Sequence, residues 1–118
     1  MTADPKRGEV TLALGAESYV LVANVEAIVE IENKMDSNLF AIGRRLESAE
    51  ISARELIDLT HACVTQAGYE VTRERLGELI VEAGAHKVIT ALTEFCRNYV
   101  FGVQHAEEGS AAEKEAPA

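Results

Sequence analysis

Residues 9–22 read EVTLALGAESYVLV, and this stretch decides the fold class. Apolar residues alternate with small or polar residues on both sides of Gly15, which is the pattern of two β-strands joined by a tight turn. The spacing predicts a β-hairpin with strands Glu9–Leu14 and Tyr19–Val22. A lone hairpin is only marginally stable in water, so one of its faces is expected to pack on the rest of the chain.

The rest of the chain carries helical periodicity, because apolar residues recur three and four positions apart in five successive segments. The predicted helices cover residues 25–35, 38–49, 53–67, 73–83 and 85–103, with approximate ends. We therefore expect an α+β fold, mainly α, in which an N-terminal β-hairpin packs on a bundle of about five helices. This single globular domain spans residues 9–103. Residues 1–8 are expected to be a flexible N-terminus, and residues 104–118 an acidic disordered tail.

The composition of the 118 residues limits the function classes. The net charge of −9 argues against binding of nucleic acid phosphates and of anionic membranes, whereas it suits a basic partner or simple solvation. No apolar run approaches the roughly 20 residues of a membrane span, and the polar first eight residues do not resemble a signal peptide. Cys63 and Cys96 lie on apolar stripes without a CxxC motif, so we expect buried free thiols.

No group of residues has the spacing of a catalytic, cofactor or metal site. There is no glycine-rich phosphate-binding loop, and His61, His86 and His105 lack a partner at helical spacing that would orient them. Apart from Glu32, the carboxylates lie on faces expected to meet solvent. We therefore expect a protein without enzymatic activity, without catalytic residues and without a cofactor or metal.

Three polar residues are predicted to have structural roles. Ser52 and Glu55 form the S-x-x-E pattern of a capping box, which marks the start of the third helix. Glu32 points into an apolar stripe of the first helix, where a carboxylate must be paired or hydrogen-bonded. We expect Glu32 either to accept hydrogen bonds from the start of the second helix or to pair with Arg44 or Arg45.

Phe101 and Tyr19 are the candidate partner-binding residues. Phe101 lies almost opposite the apolar stripe of the fifth helix. Two outcomes are open: the helix ends at Gly102 and Phe101 folds back onto the core, or the helix continues and exposes an aromatic anchor for a partner protein. Tyr19 belongs to the hairpin, whose edge is a candidate for strand addition.

Three stretches resemble a known family: Arg7–Leu12 with Gly15 and Tyr19–Leu21, Val25–Glu32, and Ile51–Leu56. They are similar to the hairpin, first helix and capped helix of small tail proteins of siphophages and gene transfer agents. The genes of this family lie between those of the tail tube and the tape measure. Its members are classed as tail assembly chaperones and are also labelled tail tube proteins. The resemblance covers about residues 7–103, although Asn24-Val25 replaces a bulkier entry to the first helix.

The resemblance implies a non-enzymatic protein that binds the tape-measure protein, a long helical chain, until tail tube subunits polymerise around it. The tail tube protein is a second implied partner. Association of the chain into a homo-oligomer is left open by the sequence. The implied location is the bacterial host cytoplasm, with the virion or gene transfer agent particle as the alternative. Neither nucleic acid nor membrane is an expected partner.

Two other functions stay open at this point. The first is a structural tail component, such as a tube or tube-completion protein, although the chain has little strand for a sheet-rich tube subunit. The second is a small helical adaptor or regulatory protein. A DNA-binding helix pair in residues 72–103 is disfavoured because this segment carries only four Lys or Arg residues and no basic face.

Overall fold

The computed structural model describes residues 8–102, which form two strands and five helices. The elements are, in order, β1 (Glu9–Leu14), β2 (Glu17–Val22), α1 (Val25–Met35), α2 (Leu39–Glu47), α3 (Ala53–Gln66), α4 (Arg73–Ala83) and α5 (Ala85–Phe101). The expected α+β, mainly α fold class with an N-terminal hairpin is confirmed. The predicted acidic tail at 104–118 and all but the last residue of the predicted flexible N-terminus lie outside the described residues.

The hairpin is a regular antiparallel pair. Leu14 lies opposite Glu17 across a two-residue turn, and Gly15 occupies the first turn position with a φ of +65° that favours glycine. β2 begins at Glu17, two residues before its predicted start, because the polar Glu17 and Ser18 still pair with β1. One face of the hairpin is buried in the core, through Val10, Leu12, Leu14, Tyr19 and Leu21.

Side-chain caps define the starts of four helices. Each capping side chain accepts a hydrogen bond from the backbone amide three residues later, and the caps are Asn24, Asn38, Ser52 and Thr72. The polar segment of residues 36–38 therefore ends α1 and starts α2. α2 is shorter than predicted, because it ends at Glu47 rather than near Ala49.

The helices enclose a core beneath the hairpin. β1 lies on α5 and α4, β2 lies on α3, and α1 packs mainly against α3. α2 packs on α5, where a Cβ placed at Gly43 would lie 3.4 Å from the Cβ of Cys96. A residue larger than alanine at Gly43 would therefore push α2 away from α5.

The apolar stripes of α1 and α5 differ from the predicted ones. Helical periodicity places Val25 and Val29 on one apolar stripe with Ile28, yet both valines are exposed. The contact with α3 covers the face of Ala27, Ile28 and Ile31 instead. Helical periodicity likewise places Tyr99 on the apolar stripe of α5, yet Tyr99 is 40% exposed, whereas Asn98 is buried. The helical angle alone does not show which part of the last turn has a neighbour to cover it.

Candidate protein-binding surface

Three exposed aromatic side chains lie where the start of α2 packs beside the end of α5. We call this set, Phe40, Tyr99 and Phe101, the aromatic surface; its members are 49%, 40% and 63% exposed. The rings of Phe40 and Tyr99 form an edge-to-face pair, with centroids 5.6 Å apart and an interplanar angle of 64°. α5 continues through Phe101 to Gly102, so Phe101 does not fold back onto the core.

Two arginines border the aromatic surface. The Cζ atom of Arg97 lies 5.8 Å from the centroid of the Phe101 ring, within the range of a cation–π contact. Arg44 lines the same small depression of about 130 Å³, together with Phe40, Phe101 and Gly43. Exposed aromatics beside arginine are the composition found at the energetic centres of protein interfaces. The local charge is thus less acidic than the chain as a whole.

Helix capping positions Phe40. A carboxylate oxygen of Glu32 in α1 accepts a hydrogen bond of 2.8 Å from the backbone amide of Leu39, the first residue of α2. Glu32 is half-buried. This contact ties the two helices together one residue before Phe40 and stabilises the positive N-terminal end of α2. Neither Arg44 nor Arg45 pairs with Glu32 among the described residues, since Arg45 pairs with Glu55.

The second polar cluster joins α2 to α3. Ser52 and Glu55 form a reciprocal capping box at the start of α3, and the Arg45 guanidinium of α2 donates to the Glu55 carboxylate. The bond from Arg45, followed by those from Ser52, lowers the pKa of Glu55 below its ordinary value. Glu55 therefore serves as a structural link between the two helices.

Tyr19, the other candidate partner-binding residue, is only 6% exposed. Its ring meets that of Tyr69 edge-to-face, with the ring centroids 5.0 Å apart. Burial, followed by the charge of Glu17, raises the pKa of the Tyr19 hydroxyl. The Tyr69 hydroxyl accepts a hydrogen bond of 2.9 Å from the backbone amide of Val20. This tyrosine pair fastens the hairpin to the segment after α3, and we place no partner contact on Tyr19.

The two cysteines and His61 have structural surroundings. Burial raises the pKa of the Cys63 thiol above its ordinary value and that of Cys96 to about 12, so both thiols are protonated at neutral pH and unsuited to nucleophilic attack. The His61 ring lies 3.1 Å from the carbonyl oxygen of Val71 and joins α3 to the loop before α4. Within residues 8–102 no three His, Cys, Asp or Glu residues are placed to hold a metal ion.

None of the helices in this part of the chain combines the length and the apolar character needed to cross a membrane.

Sequence analysis identified one member of the aromatic surface, Phe101, and missed the other two. Phe40 lies outside the apolar stripe of α2, which was a usable signal for an exposed aromatic. Tyr99 gave no such signal because its helical angle matches that of the buried residues Leu92 and Phe95. Its exposure depends on where the neighbouring elements end.

Comparison with known proteins identifies the family. Residues 7–102 match the family model described as "Phage tail tube protein, GTA-gp10". The match spans most of the chain. The chain belongs to this family. Family membership gives the protein a morphogenetic or structural role in relation to the tails of phages and gene transfer agents. No curated protein and no solved structure matches the chain.

Proposed function

We propose that the protein is a non-enzymatic tail assembly chaperone that binds the tape-measure protein through the aromatic surface. The observation that carries the proposal is that the exposed ring of Phe40 contacts that of Tyr99 and lines one depression with exposed Phe101. Exposed aromatic residues close to one another are uncommon on the surface of a monomer and are typical of sites that bind other proteins. Family membership supplies the tail context of this partner.

The geometry favours a helical ligand. The ends of α2 and α5 form a shallow depression, and Arg44 and Arg97 lie at its border. An amphipathic helix that places apolar residues against the three rings would bury surface that is otherwise exposed in both proteins. Coverage of the apolar stripes of a long helical chain would keep that chain soluble until the tube forms around it. The proposed place of action is therefore the host cytoplasm.

A structural tail component is the second candidate function, and the description of the matching family, tail tube protein, favours it. The aromatic surface would then contact neighbouring subunits of the tail. The described residues contain one two-stranded sheet, so contacts between subunits would rely mainly on helices.

Co-expression with the tape-measure protein of the same gene cluster, followed by size-exclusion chromatography, separates the two functions. A chaperone should co-elute with the tape-measure protein, keep it soluble, and be scarce in purified particles. A structural component should instead be present in purified particles in many copies. Separate elution combined with abundance in particles would overturn the chaperone proposal.

A matched pair of variants tests whether the aromatic surface is the contact. Phe40→Ser should abolish co-elution, because it removes one ring of the aromatic surface. Val81→Ser should leave co-elution unchanged, because Val81 is an exposed apolar residue of α4 that lies outside the aromatic surface. Equal co-elution of the two variants with the tape-measure protein would show that the contact lies outside the aromatic surface.

A further inference from the structure

The two outer edges of the hairpin are not equivalent. In an antiparallel pair, opposed residues alternate between those that exchange backbone hydrogen bonds and those whose backbone groups point outward. The bond from the Ala23 amide to the Gly8 carbonyl fixes this alternation, so Thr11 and Ala13 of β1 and their partners Val20 and Ser18 of β2 point outward.

Within the described residues, the β2 edge is covered at Val20. The outward amide of Val20 donates to the Tyr69 hydroxyl. On β1, the outward backbone groups of Thr11 and Ala13 have no hydrogen-bond partner among residues 8–102. The strand Glu9–Leu14 also lacks the lysine, proline or bulge by which proteins usually prevent pairing at an edge.

A groove runs beside this open edge. It has a volume of about 590 Å³ and lies between β1 and α5, where it is lined by Val10, Thr11, Ala13, Lys87, Thr90 and Glu94, among others. The centre of the α5 side carries Thr90 and Ala91, which are small and allow another chain to approach closely.

We propose that this edge pairs with the same edge of a second copy of the chain, forming a two-fold symmetric dimer with a continuous four-stranded sheet. Antiparallel pairing centred on Thr11 would place Thr11 opposite its counterpart and Ala13 opposite Glu9 of the second copy. Because Thr11 and Ala13 already have outward backbone groups, the pairing leaves every hydrogen bond within the hairpin intact. The edge is thus complementary to itself, as a two-fold interface requires.

The charges along α5 favour a second copy over an unrelated strand. Lys87 and Glu94 are seven residues apart, which is two helical turns, and they line the same groove on opposite sides of Thr90 and Ala91. A two-fold axis between Thr90 and Ala91 would bring Lys87 of each copy toward Glu94 of the other. The net charge of −9 on each copy opposes association, so we expect a dimer that dissociates on dilution.

Sedimentation velocity of the full chain over a concentration series tests the proposal. The wild type should shift from monomer to dimer as concentration rises. Ala13→Pro should raise the dimer dissociation constant at least about tenfold, because the variant loses an outward donor at both symmetry-related positions. Ser18→Pro is the matched control: it removes an outward donor from the opposite edge and should change the constant by less than about threefold.

A charge exchange provides a test that introduces no proline. Lys87→Glu alone should weaken the dimer, and Lys87→Glu combined with Glu94→Lys should restore it. Circular dichroism of each variant verifies folding. A wild type that stays monomeric up to about 1 mM would overturn the proposal. Equal effects of Ala13→Pro and Ser18→Pro, or failure of the charge exchange to restore a dimer weakened by Lys87→Glu, would overturn it as well.

Discussion

The molecule contains two aromatic pairs of similar geometry in opposite environments. The rings of Tyr19 and Tyr69 meet edge-to-face with their centroids 5.0 Å apart, and Tyr19 is buried on the inner face of the hairpin. The rings of Phe40 and Tyr99 meet edge-to-face on the surface, with their centroids 5.6 Å apart. The first pair joins two parts of the fold and is completed by a hydrogen bond to Val20. The Phe40–Tyr99 pair is bordered by solvent, whereas the Tyr19 ring is surrounded by the core.

The difference shows how one type of contact serves two purposes. A buried aromatic pair stabilises the fold mainly by removing apolar area from water. The exposed pair stabilises the fold less, because much of its area stays hydrated and is left for a partner to cover. Ring-to-ring contact keeps the exposed side chains ordered before binding, which lowers the entropic cost of association.

The largest expected effect separates the two pairs by stability. Tyr19→Ala should lower the free energy of unfolding by about 3 kcal/mol, as for large aromatic residues removed from a core. Phe40→Ala should lower it by less than about 1 kcal/mol, because half of that ring is already exposed. Urea denaturation followed by circular dichroism measures both, and similar losses for the two variants would remove the distinction between the pairs.

A smaller effect comes from the hydroxyl groups. Tyr69→Phe should cost about 1 kcal/mol, because it leaves the part-buried Val20 amide without its acceptor. Tyr99→Phe should change stability by no more than about 0.5 kcal/mol, since the Tyr99 hydroxyl has no hydrogen-bond partner among residues 8–102. Thermal unfolding of the two variants beside the wild type gives the comparison. A larger loss for Tyr99→Phe would mean that the surface pair has a structural role.

The smallest effect is a pH dependence at the link that holds α2, the helix of Phe40, to α3. The pKa of Glu55 is lowered in the folded protein by the Arg45 and Ser52 contacts, so its contribution to stability is present at neutral pH and is lost as the pH falls through that lowered pKa.

Glu55→Gln provides the control for this effect. The variant should have a lower melting temperature than the wild type at pH 7. This gap in melting temperature should shrink as the pH falls toward 3. Because Glu55 is at the surface, the gap should be small. A gap that stays constant with pH would show that the charge of Glu55 does not matter to the fold.

Local patterns in the sequence were sufficient for the elements of the fold. Period-two alternation located the hairpin, and helical periodicity with the capping box of Ser52 and Glu55 located the helices. These features depend on residues close together in the chain, so a single sequence displays them. The early start of β2 was missed because Glu17 and Ser18 are polar and pair only through the register set by the turn.

The surfaces were less predictable, because they depend on which elements end beside one another. Phe101 was recognised as a possible anchor from its helical angle, whereas Tyr99 has the angle of a core residue and Phe40 is 59 residues away from it in the chain. The groove beside β1 requires α5, which follows more than 70 residues later. Periodicity in the sequence does not show which distant elements lie beside one another.

The most direct test of the central claim is the affinity of the tape-measure protein for a Phe40→Ser/Phe101→Ser variant, measured by isothermal titration beside the wild type and Val81→Ser. If the aromatic surface is the binding site, the double variant should bind at least about 100-fold more weakly while Val81→Ser binds as the wild type does. Unchanged affinity of a folded double variant would contradict the claim.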